Sequence, residues 1–324
     1  MSTAGYITRR FAGTGTDAAA ISAFLTELVE TDPRNVLPEG DNPPIWEPPV
    51  VGIAAASDPM FETLKQPGVV GPIHVDPADW LPGARSVVSF FLPFSRQVKK
   101  SYDKHSHLPS LEWVSGRLNG EVFVNVTRRA LARYLQAQGG RAVVPNLELR
   151  YKAVDLIPMW SERHVAFIAG VGTFGLHAGL LTEKGAAGRI GSVVTDLDLT
   201  PTQRPYSGVY EYCPWVTDGT CGACIARCPV GAIHEHGKDH RICLTNGRDN
   251  IRPAYAAWGY HSCGHCQNNL PCTNPGLRMV LRPTPCARSP NAATRLMPKA
   301  LVCRRPSMST RSTKTPDAPP ITRL

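Results

Sequence analysis

The chain has 324 residues, 42% of them hydrophobic, which is enough to build one large domain or two modest ones. It contains no apolar run of about 18 residues, so no membrane-spanning helix is predicted. Its formal net charge of +9 comes from residues 277–324, where ten Lys or Arg accompany one Asp, while residues 1–276 carry 25 basic and 25 acidic residues. The charge therefore gives no sign that the body of the chain binds nucleic acid.

The N-terminal Arg9-Arg10 pair resembles the start of a twin-arginine export signal. No apolar segment follows it, and a helix carrying Glu27 and Glu30 is predicted instead. The cysteines are concentrated at metal-ligand spacings and are not scattered in pairs, which favours a reducing compartment. The sequence therefore predicts a cytoplasmic protein without a membrane partner.

Helices and strands alternate in the predicted structure of residues 1–200, which is typical of a layered α/β or α+β domain. Asp17 is expected to cap a first helix, because apolar residues recur every three or four positions after it. The other predicted elements, in chain order, are strands at 50–56 and 86–92, a helix at 121–138, a strand at 141–144, a helix at 161–169 and a strand at 189–197.

Three parts are predicted along the chain. Residues 1–200 form an α/β cofactor domain, and turn formers at 200–209 separate it from a cysteine-rich domain at 201–276. The remainder, 277–324, is a basic tail rich in Pro, Ser and Thr and is predicted to be disordered. A reading-frame change near position 277 would give the same composition. Cys286 and Cys303 lie in this tail and are predicted to be free thiols without a role.

Eight of the ten cysteines lie between positions 213 and 272. Short Cys-x2-Cys loops supply thiolates to [4Fe–4S] clusters, and in two-cluster ferredoxins the cysteine before a proline ligates the other cluster. Here Cys228, the last cysteine of the run from Cys221, is followed by a proline and fits this rule. This rule predicts one cluster on Cys213, Cys221, Cys224 and Cys272 and a second cluster on Cys228, Cys243, Cys263 and Cys266.

One or two zinc sites are the alternative, because zinc accepts the same cysteine pairs. The run Cys-x3-Cys-Pro-x-Gly-Ala-Ile that begins at Cys224 is typical of ferredoxins and not of zinc knuckles. Two ligands depart from the usual ferredoxin spacing. Seven residues separate Cys213 from Cys221, and five residues separate Cys266 from Cys272, which also lacks a following proline.

Three further features of the sequence leave alternatives open. Residues 170–175 (GVGTFG) match the dinucleotide-binding fingerprint, but they follow a predicted helix and not a strand. Asp155 is either a proton donor whose pKa is raised by apolar neighbours or the N-cap of the following helix. His164 and His177 flank the glycine run either as neighbours of a metal or corrin or as ordinary hydrogen-bonded histidines.

Four stretches, in this order, resemble epoxyqueuosine reductases, and the resemblance covers about residues 50–276. They are 82–89 (PGARSVVS), 154–158 (VDLIP), 162–175 (ERHVAFIAGVGTFG) and 191–199 (GSVVTDLDL), and the cysteine-rich part follows them. The cysteine motif alone is widespread, whereas the ordered set is specific to this family and to the related reductive dehalogenases.

The resemblance implies an α+β fold in which a nitroreductase-like α/β domain binds cobalamin and is followed by a two-cluster ferredoxin-like domain. It implies that the clusters pass single electrons to cobalt, which then reduces the substrate. Asp155 matches the family's proton-donating aspartate and is expected to deliver a proton. An external low-potential electron donor of flavodoxin or ferredoxin type follows from the same resemblance. So does a tRNA substrate, although the neutral body of the chain lacks the basic excess expected for tRNA recognition.

The chain departs from the family pattern at positions that face cofactor and substrate in the family. Thr173 stands where Trp is usual, Gly175-Leu176 where Gly-Lys is usual, and 115–120 (SGRLNG) where Arg-Gly-x-Asp-Tyr-His is expected before the long helix. Two functions therefore stay open. The first is a cobalamin-dependent iron–sulfur reductase similar to epoxyqueuosine reductase, and the second is a ferredoxin-like electron-transfer protein without corrin chemistry.

Overall fold

The structure is a computed structural model that describes residues 10, 11, 13, 15–38, 41–102, 107–260 and 262–273. The predicted tail at 277–324, with Cys286 and Cys303, lies outside these residues. None of the described helices is long and apolar enough to cross a membrane.

Helices and strands are mixed along the described chain, which agrees with the predicted α+β class. The strands are β1 (Val50–Ala55), β2 (Ser86–Pro93), β3 (Ala142–Val143), β4 (Ala153–Val154), β5 (Ile157–Pro158), β6 (Gly172–Phe174), β7 (Leu180–Thr182), β8 (Gly188–Thr195), β9 (Ile233–His234) and β10 (Gly237–Lys238). The α-helices are α1 (Ala18–Thr31), α2 (Met60–Thr63), α3 (Pro77–Trp80), α4 (Arg96–Tyr102), α5 (Leu111–Ala137), α6 (Glu162–Ile168), α7 (Pro214–Asp218), α8 (Ala223–Arg227), α9 (His240–Asn246) and α10 (Arg252–Ala254).

The main sheet is antiparallel, with the strand order β1–β2–β8–β3. On the inner strand β2, Val88 pairs with Ile53 of β1 and with Val193 of β8. Successive residues of a strand point to opposite faces of the sheet. Val88 therefore belongs to the core under α1 and α5, whereas Val87 belongs to the core under α6.

The predicted cap of the first helix is confirmed. Asp17 caps α1, where its Oδ1 accepts a hydrogen bond from the backbone N–H of Ala20 at 2.7 Å. The apolar face of this helix is fully buried against the sheet core, as predicted for Ile21, Phe24, Leu25 and Leu28. The strands expected at 50–56 and 86–92 are present as β1 and β2.

The long helix α5 begins at Leu111, ten residues before the predicted start at 121. Ser110 caps it by accepting a hydrogen bond from Trp113 N at 3.2 Å. The helix includes Gly116 and Gly120, although glycine disfavours helices. Both glycines face bulky side chains, and a Cβ on Gly120 would lie 2.5 Å from the Trp46 ring. The stretch at 115–120 therefore lies within the first half of the helix.

The cysteine-rich part packs against the sheet part at α4 and α5. Tyr102 OH donates to Cys263 O at 2.6 Å and lies 2.8 Å from His265 Nδ1, and Trp113 Nε1 donates to Tyr260 OH at 3.0 Å. The boundary expected at 200–209 is packed on the sheet part, since Tyr206 OH donates to Phe167 O. The division of the chain at position 200 stays a prediction.

Candidate functional site

A cleft of about 900 Å³ lies where three parts of the fold meet. One wall is the small hairpin of β4 and β5, another is the segment after β6, and the third is the cysteine-rich part. Asp155, His164 and His177 line this cleft, together with Cys228, Cys243, Cys263 and Cys266. The sequence-predicted candidates from two distant regions are thus brought to one site.

Four thiols lie together beside this cleft and surround a separate cavity of about 50 Å³. They are Cys213, Cys221, Cys224 and Cys272. Burial raises the pKa of Cys224 to about 12, and the thiols of Cys213, Cys221 and Cys266 add to this effect. Burial also raises the pKa of Cys272 to about 12, and the thiols of Cys224, Cys213 and Cys221 add to it. We call these four residues the first cysteine group.

The remaining four thiols form a second cysteine group, which consists of Cys228, Cys243, Cys263 and Cys266. Burial raises the pKa of Cys263 to about 11, and the thiols of Cys266, Cys243 and Cys228 add to this effect. Burial also raises the pKa of Cys266, with Cys243 and Cys228 as neighbours. The structure therefore sorts the cysteines into the two sets that their spacing predicted. That each set binds a cluster stays a prediction.

Both Cys-x2-Cys loops depend on a left-handed glycine. Gly222 follows Cys221 with φ 106°, and Gly264 follows Cys263 with φ 90°. Only glycine adopts this conformation without a steric cost. A Cβ on Gly264 would also lie 2.6 Å from Trp113 Nε1, so this loop is pressed against α5.

The chemistry of each donor set fits a cationic centre. Burial and then the repulsion between ionised thiols raise the pKa values of Cys224, Cys263, Cys266 and Cys272, and a bound metal centre opposes both effects by stabilising the thiolates. Backbone N–H groups already point at two sulfurs, from Leu176 to Cys213 Sγ at 3.4 Å and from Ala232 to Cys228 Sγ at 3.2 Å. Among the described residues, no group of three or more Cys, His, Asp or Glu is arranged to hold a single metal ion.

Asp155 lies at the tip of the hairpin between β4 and β5. Asp155 and Leu156 have φ angles of 49° and 69°, so the two residues form the tight turn that joins these strands. The residue is exposed and borders the cleft. The interpretation of Asp155 as a helix N-cap is wrong, because α6 begins at Glu162 and its N-cap is Ser161. The role of Asp155 as a proton donor stays a prediction.

The glycine run at 170–175 ends a helix and enters the hairpin of β6 and β7. A Cβ on Gly172 would lie 2.1 Å from Leu181 O, so this glycine permits close approach of the neighbouring strand. The dinucleotide-binding interpretation is wrong, since that fingerprint requires a strand, a turn and then a helix. Thr173 is buried, and its Oγ1 accepts from Tyr212 N at 3.0 Å. Leu176 is buried in the core around the first cysteine group.

Two histidines with lowered pKa values border the cleft. Burial lowers the pKa of His164 to about 3, and Arg163 adds to this effect. Its Nδ1 lies 2.7 Å from Ser161 Oγ, whereas its buried Nε2 has no hydrogen-bond partner among the described residues. Burial and Lys238 lower the pKa of His177 to about 4. His164 therefore borders the cleft as a buried imidazole whose Nε2 is unpaired among the described residues.

Positive side chains dominate the charged lining of the cleft and were missed by the sequence reasoning. The cations are Arg117, Arg163, Lys238 and Arg241, and the carboxylates are Asp155 and Asp239. Lys238 lies five residues before Cys243, and this closeness to a predicted ligand was the one feature of the sequence that could have identified it. The others come from α5, α6 and α9, which only the fold brings together.

No protein-family model matches the chain. An epoxyqueuosine reductase from Synechocystis is 32% identical over 161 residues, which are 48% of this chain and 48% of that protein. A tetrachloroethene reductive dehalogenase from Desulfitobacterium hafniense is 34% identical over 116 residues, which are 34% of this chain and 20% of that protein. The aligned region thus spans about half the length of the epoxyqueuosine reductase and a smaller share of the dehalogenase.

A solved epoxyqueuosine reductase in complex with an epoxyqueuosine-modified tRNA stem loop is 18% identical, with a TM-score of 0.45. The match covers 79% of this chain and 66% of that one. The resemblance expected from the ordered motifs is confirmed at the level of sequence: the chain is similar to epoxyqueuosine reductases and to reductive dehalogenases.

Proposed function

We propose that the chain is an iron–sulfur oxidoreductase of the epoxyqueuosine reductase type, in which two [4Fe–4S] clusters deliver electrons to a cobalamin that reduces a substrate. One observation carries this proposal. The second cysteine group forms a wall of the same 900 Å³ cleft that Asp155 borders, so an electron source and a carboxyl group face one cavity.

The ligands of the clusters are the two cysteine groups defined above. Clusters of this type accept and release single electrons, and a cobalamin bound in the cleft supplies a strongly reducing cobalt. The described residues suit such a cleft. Arg163 and Lys238 offset negative charge, and Phe174 and Ile157 exclude water. Asp155, on an exposed turn, delivers a proton to the reduced product.

The finer domain identities are part of the same proposal. The sheet part corresponds to a nitroreductase-like cobalamin domain, and the cysteine-rich part corresponds to a two-cluster ferredoxin-like domain. An external donor of flavodoxin or ferredoxin type supplies the electrons in the cytoplasm. A tRNA nucleoside is the first substrate to test, because one solved relative is a complex with a tRNA stem loop.

A ferredoxin-like protein without corrin chemistry remains the second candidate, and a specific observation favours it. Thr173 and Leu176 replace residues that face the cofactor in the family, and both side chains are buried away from the cleft. These positions therefore offer a corrin no contact in this chain. Protein that binds both iron and a corrin supports the first candidate, and protein that binds iron without a corrin supports the second.

Metal analysis after anaerobic purification tests the clusters. We expect about eight iron atoms per chain, falling to about four when Cys263 and Cys266 are both replaced by Ala. The matched control replaces Cys286 and Cys303 by Ala and is expected to leave the iron content unchanged. Zinc in place of iron would overturn the proposal in favour of the zinc alternative.

Cobalamin binding and substrate turnover test the proposed chemistry in the cleft. We expect the iron-loaded protein to take up about one cobalamin and to reduce epoxyqueuosine in a tRNA stem loop. Asp155→Asn should keep the corrin and lose about a hundredfold in rate, because a positioned acid contributes about that much. Asp239→Asn is the control, since Asp239 borders the same cleft but caps α9. Full iron content without corrin uptake would leave the electron-transfer candidate.

A further inference from the structure

The two cysteine groups differ in the charge that surrounds them. Lys238, on β10, has its Nζ 4.0 Å from Cys266 Sγ and also forms a side-chain hydrogen bond with Cys243. The side-chain amine of Lys238 therefore lies beside two thiols of the second cysteine group.

Arg163 adds a second positive charge to the same group. Its guanidinium is deeply buried, which lowers its pKa, and the thiol of Cys266 acts in the opposite direction. Its Nη1 donates to Ala178 O. Buried charges in proteins are normally paired. For Arg163 and Lys238, the negative groups in reach are the thiols of the second group, so both cations match the negative charge of a thiolate-bound centre.

A histidine supplies the side-chain donor at the first cysteine group. His177 Nδ1 accepts from Gly179 N at 3.0 Å, so the ring proton of the neutral form is on Nε2. That nitrogen lies 3.8 Å from Cys272 Sγ. The first group therefore has an imidazole N–H beside it where the second group has the amine of Lys238.

We propose that Lys238 raises the reduction potential of the centre on the second cysteine group above that of the centre on the first, and so directs electrons toward the cleft. This inference rests on the proposed function. Reduction adds one negative charge to a centre, and a nearby cation stabilises that charge. One electron leaves the first centre as one enters the second, and the external one-electron donor then replaces it. No bond or proton changes in this transfer.

The arrangement of the cavities agrees with this direction. All four thiols of the second group border the cleft, whereas the thiols of the first group border the small cavity beside Trp215. The centre with the added positive charge is thus the one that faces the substrate side. A higher potential there keeps the electron next to the cleft until the substrate accepts it.

Redox titration monitored by electron paramagnetic resonance tests the role of Lys238 on the iron-loaded full chain. The double variant Cys263→Ala with Cys266→Ala identifies the signal of the second centre. We expect Lys238→Met to lower the midpoint potential of the second centre and to leave the first unchanged. Lys238→Arg keeps the charge and should stay close to the unmodified protein. Lys152→Met, which removes an exposed lysine, should shift neither centre.

The outcomes separate this inference from the proposed function. Absence of iron in the unmodified chain overturns the proposed function. With iron present, an unchanged second potential in Lys238→Met, or an equal shift of both centres, overturns the role of Lys238 alone. If Lys238→Met loses the second cluster, Lys238→Gln is measured as well. Loss in both neutral variants but not in Lys238→Arg supports the charge role, and loss in Lys238→Arg overturns it.

Discussion

His74 illustrates how single buried residues of this chain respond to acid. Its side chain is almost fully buried beside Trp160, with the ring centroids 5.7 Å apart, and its Nε2 accepts from Ser161 N at 3.3 Å. Burial and the nearby Lys65 lower the pKa of His74 to about 4 from an ordinary value of 6.5. The folded chain therefore binds this proton less readily than the unfolded chain does.

The sign of the pH effect follows from that difference. Above pH 6.5 His74 is neutral in both states, and as the pH falls toward 4 the unfolded state gains a proton that the folded state lacks, so stability is lost. Between pH 7 and 5.5 this loss is about 1 kcal/mol. His74→Phe should remove about 1 kcal/mol of the fall in unfolding free energy between pH 7 and pH 5.5, and so flatten the dependence of stability on pH. An unchanged slope in chemical denaturation would contradict the assignment.

The roles of Asp155 and Lys238 depend to different degrees on contacts between distant segments of the chain. Asp155 was marked by its local motif, but its position on a hairpin turn depends on β4 pairing with β5. The pairing removes the N-cap interpretation that the same letters allowed. Lys238 was not recognised in the sequence, because its importance comes from the approach of Cys266, which belongs to another loop.

At the scale of elements, α5 shows where local propensity was misleading. Gly116 and Gly120 lower helix propensity, yet the helix continues through them because Ser110 caps it and Trp46 and Phe94 occupy the space that larger side chains would fill. Packing against β8 and α4 outweighs propensity here. The strands β1, β2 and β8 were predictable because each is an apolar run in the buried sheet.

Gly120→Ala tests this explanation. Alanine favours a helix by about 1 kcal/mol relative to glycine, but its Cβ would meet Trp46 at 2.5 Å. Overpacking of this kind costs about 1–3 kcal/mol. We expect a net loss of unfolding free energy in chemical denaturation. The control Asn119→Ala, on the exposed side of the same helix, should change stability by less than about 0.5 kcal/mol. A gain at Gly120 would show that Trp46 moves aside without cost.

At the scale of the whole molecule, the cleft exists only because the sheet part and the cysteine-rich part are joined. Tyr102 of α4 bonds to Cys263 O and lies beside His265, and Trp113 of α5 bonds to Tyr260. These contacts hold the second cysteine group against the helices of the first part. The cleft walls would separate if this junction opened.

Tyr102→Phe tests the junction. The variant removes the hydroxyl that bonds to Cys263 O, and a buried acceptor left unpaired costs about 1–3 kcal/mol. We expect amide hydrogen exchange in 262–267 to increase by about tenfold, with strand β2 unchanged. Tyr134→Phe is the matched control, because Tyr134 OH bonds to Gly15 O within the sheet part. An equal increase in β2 would indicate general destabilisation and not a local junction.

The sequence by itself determined the features that short-range constraints specify. Cysteine spacing predicted the two groups of four thiols, because a metal centre limits how far apart its ligands stand in a loop, and apolar periodicity predicted α1 and the main strands. Only the tertiary structure decided what surrounds those thiols. The positive charges of Arg163 and Lys238, the hairpin turn at Asp155 and the shared cleft arise from segments far apart in the chain, and spacing along one segment carries no information about contacts with another.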